Sequence, residues 1–170
     1  MSSFDSAFDQ LIGLEGGYSD DEHDPGNWTG GEVGVGELKG TNWGISAKSY
    51  PHLDIKNLSR DDAKEIYRSD FWQKMRCDSF NPGIGVALFK EGVNLGADRA
   101  AMILQGSLKV QADGVIGPIT IGVATSSPPE DVLVNFLAEC LLARAGMKNF
   151  PRYGRGWFRR TVRTAVQAKL

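Results

Sequence analysis

Residues 15–45, EGGYSDDEHDPGNWTGGEVGVGELKGTNWGI, decide how this chain is read. Nine of the 21 glycines lie inside this stretch, too many for a stable helix, and they alternate with carboxylates and tryptophans. Loops of this composition carry function more often than packing. Turn signals stand at Asp24-Pro25-Gly26 and Gly30-Gly31, and Val33 and Val35 alternate with glycines as a short strand would. Residues 19–44 therefore read as a loop or small hairpin.

Outward from it the apolar spacing is helical. Phe4, Ala7, Phe8, Leu11 and Ile12 predict an amphipathic helix over 3–14, ended by Gly13, Gly16 and Gly17. Ser59 suits an N-cap, with Asp61 and Asp62 in the first turn, and Ala63, Ile66, Tyr67 and Phe71 form a buried face through about Trp72. Asn81-Pro82-Gly83 is a break. Two helices follow between Ile84 and Val110, interrupted near Gly92 to Gly96. A short one opens at Pro118, a long one covers 130–147, and a last one covers about 156–168 after Phe150-Pro151. The expected fold is mainly α, with a small β-hairpin or loop region near residues 19–44.

At 170 residues the chain fits one domain, or one domain with two lobes, and can bury a core without disulfides or metals. Its net charge of -2 conceals an asymmetry. Residues 1–50 hold nine acids and two bases, whereas 141–170 hold eight bases and no acid. Cys77 and Cys140 match no metal or redox spacing and read as free, partly buried thiols of a chain folded in the cytoplasm. The acidic N-terminus does not read as a signal peptide, and no apolar run is long enough to span a membrane.

Cleavage of a glycosidic bond needs an acid to protonate the leaving oxygen and a second group to manage water or positive charge. Glu15, at a helix end beside Leu14, is a candidate acid whose pKa partial burial would raise; a solvated glutamate is the alternative. Asp24 is the natural second carboxylate, with Asp20, Asp21 and Glu22 as rivals. A separation of roughly 6.5–9.5 Å would predict inversion and about 5–5.5 Å retention. Thr41 either positions the water or caps a turn. Tyr18, Trp28 and Trp43 either stack on sugar rings or belong to the core, and Trp72 is assigned to packing. The acidic run lacks the alternation and closing glutamate of a calcium loop. GGEVGVGELKG lacks the Gly-Lys-Ser/Thr ending of a phosphate loop. No serine or cysteine is convincingly paired with His23 or His52. No metal or cofactor is expected.

Taken in order, Glu15-Gly16-Gly17-Tyr18, Asp24-Pro25-Gly26 and Thr41-Asn42-Trp43-Gly44-Ile45 resemble glycoside hydrolase family 108, peptidoglycan N-acetylmuramidases of phage and prophage endolysins. The likeness continues through residues 63–72, Gly92-Val93-Asn94-Leu95-Gly96, Leu104-Gln105 and Asp113-Gly114-Val115-Ile116-Gly117-Pro118. It implies a lysozyme-like helical fold that hydrolyses the β-1,4 bond between N-acetylmuramic acid and N-acetylglucosamine. Glu15 would be the acid. The order Glu15, Asp24, Thr41 is also similar to the Glu–Asp–Thr triad of phage lysozymes of another family, although the insert from Asn27 to Gly40 lengthens the step to the threonine. Tyr18, Asn42, Trp43, Trp28 and Asn94 are the candidate substrate contacts. Residues 1–90 would form the catalytic region and 91–170 a peptidoglycan-binding-like region, packed into one compact unit. Where the family often has Phe-Asp, this chain has Phe89-Lys90-Glu91, which a structural role in a long helix explains.

Arg152, Arg155, Arg159, Arg160 and Arg163 interleave with Tyr153, Trp157, Phe158 and Val162. Nucleic acid is a poor partner for a chain acidic elsewhere. Anionic wall or phospholipid is a better one, and a helix whose aromatics pack while its arginines are solvated is the plain account. The reading carried forward is a monomeric endolysin made in the host cytoplasm and acting on the wall after release. A holin would be its usual route across the membrane. Two rivals are a lytic transglycosylase and a non-catalytic wall-binding or phage structural module.

Overall fold

The computed structural model describes residues 3–13 and 17–168. Among them lie α1 (Ser3–Ile12), β1 (Thr41–Asn42), β2 (Ile45–Ser46), α2 (Arg60–Tyr67), α3 (Pro82–Leu95), α4 (Ala97–Ser107), α5 (Pro118–Ser126), α6 (Pro129–Ala145) and α7 (Phe150–Gln167). The fold is mainly α and lysozyme-like, with a single two-stranded antiparallel sheet among the described residues. Contacts divide the chain into two compact units, Phe8–Tyr67 and Met1–Ala7 with Arg68–Leu170.

In the unit Phe8–Tyr67 the core is formed by Phe8, Ile45, Ala47, Ile55, Ala63 and Tyr67. The Phe8 and Tyr67 rings lie 5.7 Å apart, and the Arg60 guanidinium lies 4.9 Å from the Phe8 ring centre while bonding Asp9 at 2.6 Å. α2 starts as its sequence suggests. Ser59 Oγ accepts from the Asp62 amide, and the Asp62 carboxylate accepts in return from the Ser59 amide, a reciprocal cap.

The hairpin pairs Thr41 with Ser46 and Asn42 with Ile45 across a two-residue turn. Trp43 (φ 50°) and Gly44 (φ 77°) both take the left-handed conformation, as a type I′ turn requires. A Cβ at Gly44 would lie 2.5 Å from the Tyr67 hydroxyl, which donates to the Trp43 carbonyl. The expected strand at Val33 and Val35 is not formed. Both side chains are exposed in a run of tight turns, and nothing covers a face there that would reward pairing.

The second unit is built on α3, whose residues 83–92 are all buried. Asn81 caps it by accepting from the Gly83 amide, with Pro82 in the first turn. Phe4, Trp72 and Phe89 meet edge to face with centroids 5.4–5.7 Å apart. Trp72 is buried, as its assignment to packing expects, while Phe71 is only half-buried, because residues Arg68–Gln73 wind as a π-helix, with the Lys74 amide bonded to the Ser69 carbonyl. One extra residue per turn moves the inward position by one.

Glu91 does have the structural role expected of it. It is 1% exposed and meets Arg144 of α6, 3% exposed, at 2.6 Å. The two contacting atoms touch as ions without the alignment of a hydrogen bond. Thr161 of α7 closes the group, donating to Glu91 Oε1 at 3.1 Å and accepting from Arg144 Nη1 at 2.8 Å. Buried Gln105 of α4 holds the Asp113–Val115 turn. Its amide donates to Asp113 Oδ1 at 2.7 Å and to the Val115 carbonyl, and its oxygen accepts from the Gly114 amide. Hydrogen bonds from the Val115 amide and Gln105 hold the Asp113 carboxyl below the usual carboxylate range.

α7 begins at Phe150 rather than near Gly156, since Pro151 occupies its first turn, where no amide hydrogen is needed. Cys77 and Cys140 are buried and free, and burial pushes both thiols up. No helix among the described residues is long and apolar enough to cross a membrane.

Candidate active site

Glu15 lies outside the described residues, so the site is built from what surrounds it in sequence. Its centre is Asn27, a residue read from sequence only as part of the loop 19–44. Asn27 is 1% exposed, and every polar group it has is engaged. Its amide nitrogen donates to the Asp21 carbonyl at 3.0 Å, and its side-chain oxygen accepts the Thr41 hydroxyl at 2.7 Å. Its backbone carbonyl accepts from the Lys39 and Gly40 amides, and its own amide donates to the Asp24 carbonyl.

Asn27 thus ties together the acidic run, the Asp24 turn and the start of β1. Asp24 and Thr41, chosen from sequence, are each bonded to it. The Thr41 backbone is fixed independently, exchanging two hydrogen bonds with Ser19 at 2.8 and 2.9 Å. With its proton directed at Asn27, the half-buried Thr41 oxygen presents lone pairs, which suit it to accept from a water. Asp24 is exposed and caps the short 3₁₀ turn Pro25–Asn27, Oδ1 accepting from the Gly26 amide at 2.8 Å. The rivals Asp20, Asp21 and Glu22 are exposed as well, and Asp21 Oδ1 accepts from the His23 amide. Among the described residues no three carboxylates, thiols and imidazoles converge as a metal site would require.

The aromatic candidates are half-buried. The Trp28 indole donates to the Glu22 carbonyl at 2.9 Å and that of Trp43 to the Leu58 carbonyl at 3.1 Å. Both rings therefore brace loops with their polar edges. Asn42 is buried, and its amide nitrogen donates to the carbonyls of Ile55, Lys56 and Leu58 at 3.2–3.3 Å, which holds the 55–58 segment against the hairpin. Asn94 belongs to the other unit, where it donates to the Lys90 carbonyl and accepts from Arg160.

Tyr18 sits beside Gly40 (φ 82°), where any Cβ would lie 2.6 Å from the ring. It lines an open cleft of about 390 Å³ together with Leu38, Lys39, His52, Asp54 and Lys56. The Lys56 ammonium lies 5.9 Å from the centre of the Tyr18 ring. Desolvation, with Asp20 and Asp54 behind it, raises the phenol pKa, so Tyr18 stays a neutral donor. The 52–56 wall was not anticipated from sequence; its only signal was the alternation of Leu53 and Ile55 with polar residues outside any helical period.

A profile of the family described as glycosyl hydrolase 108 matches residues 8–96, just over half the chain, and ends at the C-cap of α3. Among solved structures, SagA of Brucella abortus is similar at 27% identity and a TM-score of 0.82. The likeness covers 98% of this chain and 93% of that one. No curated protein matches the chain.

Proposed function

The chain belongs to the glycosyl hydrolase 108 family and is a peptidoglycan-hydrolysing glycoside hydrolase; we propose that it cuts the β-1,4 bond between N-acetylmuramic acid and N-acetylglucosamine, with Glu15 as the acid. Glu15 lies inside the matched span and opens the EGGY motif. It protonates the glycosidic oxygen as the bond to the anomeric carbon breaks and positive charge grows on the ring. Thr41 accepts a hydrogen bond from the water that is to attack, and Asp24 supplies the second carboxylate. The observation that carries this mechanism is the bond from the Thr41 hydroxyl to Asn27, because it fixes which way the threonine oxygen can serve. Tyr18, Trp28 and Trp43 offer ring faces to the sugars, whereas the side chains of Asn42 and Asn94 are spent on protein partners. The biological setting we propose is that of a monomeric phage-type endolysin reaching the wall through a holin-dependent step.

One observation favours a second reaction on the same substrate. Asp24 Oδ1 is engaged as a helix cap, and a lytic transglycosylase needs only one acid/base, leaving a 1,6-anhydro end.

The test is release of soluble fragments from purified peptidoglycan by wild type and Glu15→Gln, with mass analysis of the new ends. Reducing N-acetylmuramic acid, absent with the variant, supports the hydrolase with Glu15 as its acid. Anhydro ends move the protein to the second reaction. Undiminished release by Glu15→Gln removes Glu15 from the mechanism. Asp24→Asn keeps the capping acceptor but loses the charge, so its retained activity would leave Asp24 as a cap alone.

A further inference from the structure

α7 has two faces with opposite duties. Gly154, Thr161, Thr164 and Ala168 are buried, and Thr161 is held in the Glu91–Arg144 group. On a helix turning about 100° per residue, the opposite face carries Arg152, Arg155, Arg159 and Arg163, spaced three or four apart. Each of the four is exposed, and α7 contains no acidic residue. Among the described residues no carboxylate pairs with Arg155, Arg159 or Arg163.

Beside this row runs an apolar strip. Val162 is 56% and Val166 74% exposed, and a shallow groove of about 420 Å³ is lined by Arg155, Phe158, Arg159, Val162 and Arg163. Near the start of the helix Tyr153 and Trp157 form a ring pair 6.0 Å apart, with Arg152 over the Tyr153 ring. Aromatic side chains with a polar edge favour the boundary between hydrocarbon and water.

We propose that this face of α7 docks on the surface of an anionic phospholipid bilayer, the helix lying in the interface while its inner face stays packed. Charge alone would suit any polyanion. The strip of Val162, Val166 and Phe158 beside the arginines gains only where apolar surface accompanies the negative charge, which a lipid headgroup layer provides and a phosphate polymer does not. Docking needs no unfolding, because Arg155, Arg159, Val162, Arg163 and Val166 are already exposed. The inference is independent of which bond the enzyme cuts, since it uses no residue of the proposed site.

Sedimentation with vesicles of phosphatidylethanolamine and phosphatidylglycerol, against pure phosphatidylcholine, tests it on the full chain. Wild type is expected to bind the anionic vesicles, more weakly as salt rises, and to leave the neutral ones. R155Q/R159Q/R163Q should bind on the order of a hundredfold more weakly, from roughly a fivefold contribution per arginine. V162S/V166S should lose about tenfold from the smaller apolar surface. Circular dichroism of each variant must match wild type, and Glu15→Gln must bind vesicles normally. Fragment release from lipid-free peptidoglycan should be unchanged in the arginine variant. Absence of wild-type binding, equal binding to neutral vesicles, or an arginine variant that binds like wild type would overturn the proposal. So would a valine variant with undiminished binding, which would mark a plain polyanion site. Loss of lipid-free hydrolysis in the arginine variant would assign the row to the wall polymer instead.

Discussion

The Thr41 hydroxyl donates to the side-chain oxygen of buried Asn27 at 2.7 Å, a side-chain bond that ties the hairpin to the loop beside the backbone pairing of Thr41 with Ser19. If the threonine oxygen orients water, Thr41→Val should lower kcat by roughly a hundred- to a thousandfold, the range seen when one positioned polar group is removed from a site. KM should move little, and Thr41→Ser should recover most of the rate. Thr41→Val also leaves the buried Asn27 oxygen without its partner, costing about 1–3 kcal/mol of stability. Asn27→Ala should cost stability too. It leaves the Asp21 carbonyl and the Thr41 hydroxyl without their partner, costing about 1–3 kcal/mol of stability, and lowers kcat as well because Thr41 is no longer held. Urea denaturation beside steady-state kinetics separates the two. A Thr41→Val protein with full kcat would reduce Thr41 to a turn residue.

The group of Glu91, Arg144 and Thr161 gives a prediction about the fold alone. Glu91→Met leaves a buried guanidinium uncompensated and should cost about 3–5 kcal/mol. Replacing all three by apolar residues, E91M/R144M/T161V, should recover most of that loss, since the buried pair's attraction is largely offset by its desolvation. Denaturation midpoints of the single and triple variants give the comparison. A triple variant as unstable as Glu91→Met would mean that the ionic group contributes net stability.

What was legible from sequence follows the range of the forces involved. The helices 3–12, 60–67 and 129–145 follow from local signals that the sequence displays directly: apolar spacing in the first, the Ser59 cap in the second and the Pro128-Pro129-Glu130 start in the third. The α7 start was missed because Phe150-Pro151 reads as a break, although a proline in a first turn is equally compatible. Trp72 packs as its sequence suggests, but that Phe71 is only half-buried follows from a π turn that no local pattern announces. In the site, Thr41 and Asp24 were legible as residue types that do such chemistry. Asn27 was not, because its importance lies in bonds to residues 6 and 14 positions away, and spacing does not encode those. Asn42 was quoted for its motif, while its three carbonyl partners at 55–58 emerge only in three dimensions.

Lys90 gives the pH dependence a definite sign. It is 4% exposed in α3, its ammonium donates to Gln167 Oε1 at 2.6 Å, and burial lowers its pKa from 10.5 to about 8. Between those two values the unfolded chain holds a proton that the native chain does not, so this group's contribution to stability rises with pH through that window. Below about pH 8 the full cost of a buried ammonium stands, on the order of 3 kcal/mol. Lys90→Met removes the titration. The stability of the variant relative to wild type should therefore fall by about 2–3 kcal/mol from pH 7 to pH 10. Above pH 9 the buried thiols of Cys77 and Cys140 act in the opposite direction, since they ionise only on unfolding. They do so equally in both proteins and cancel in the difference. Paired urea titrations across this range measure it, and parallel curves for the two proteins would show that the native Lys90 keeps its ordinary pKa.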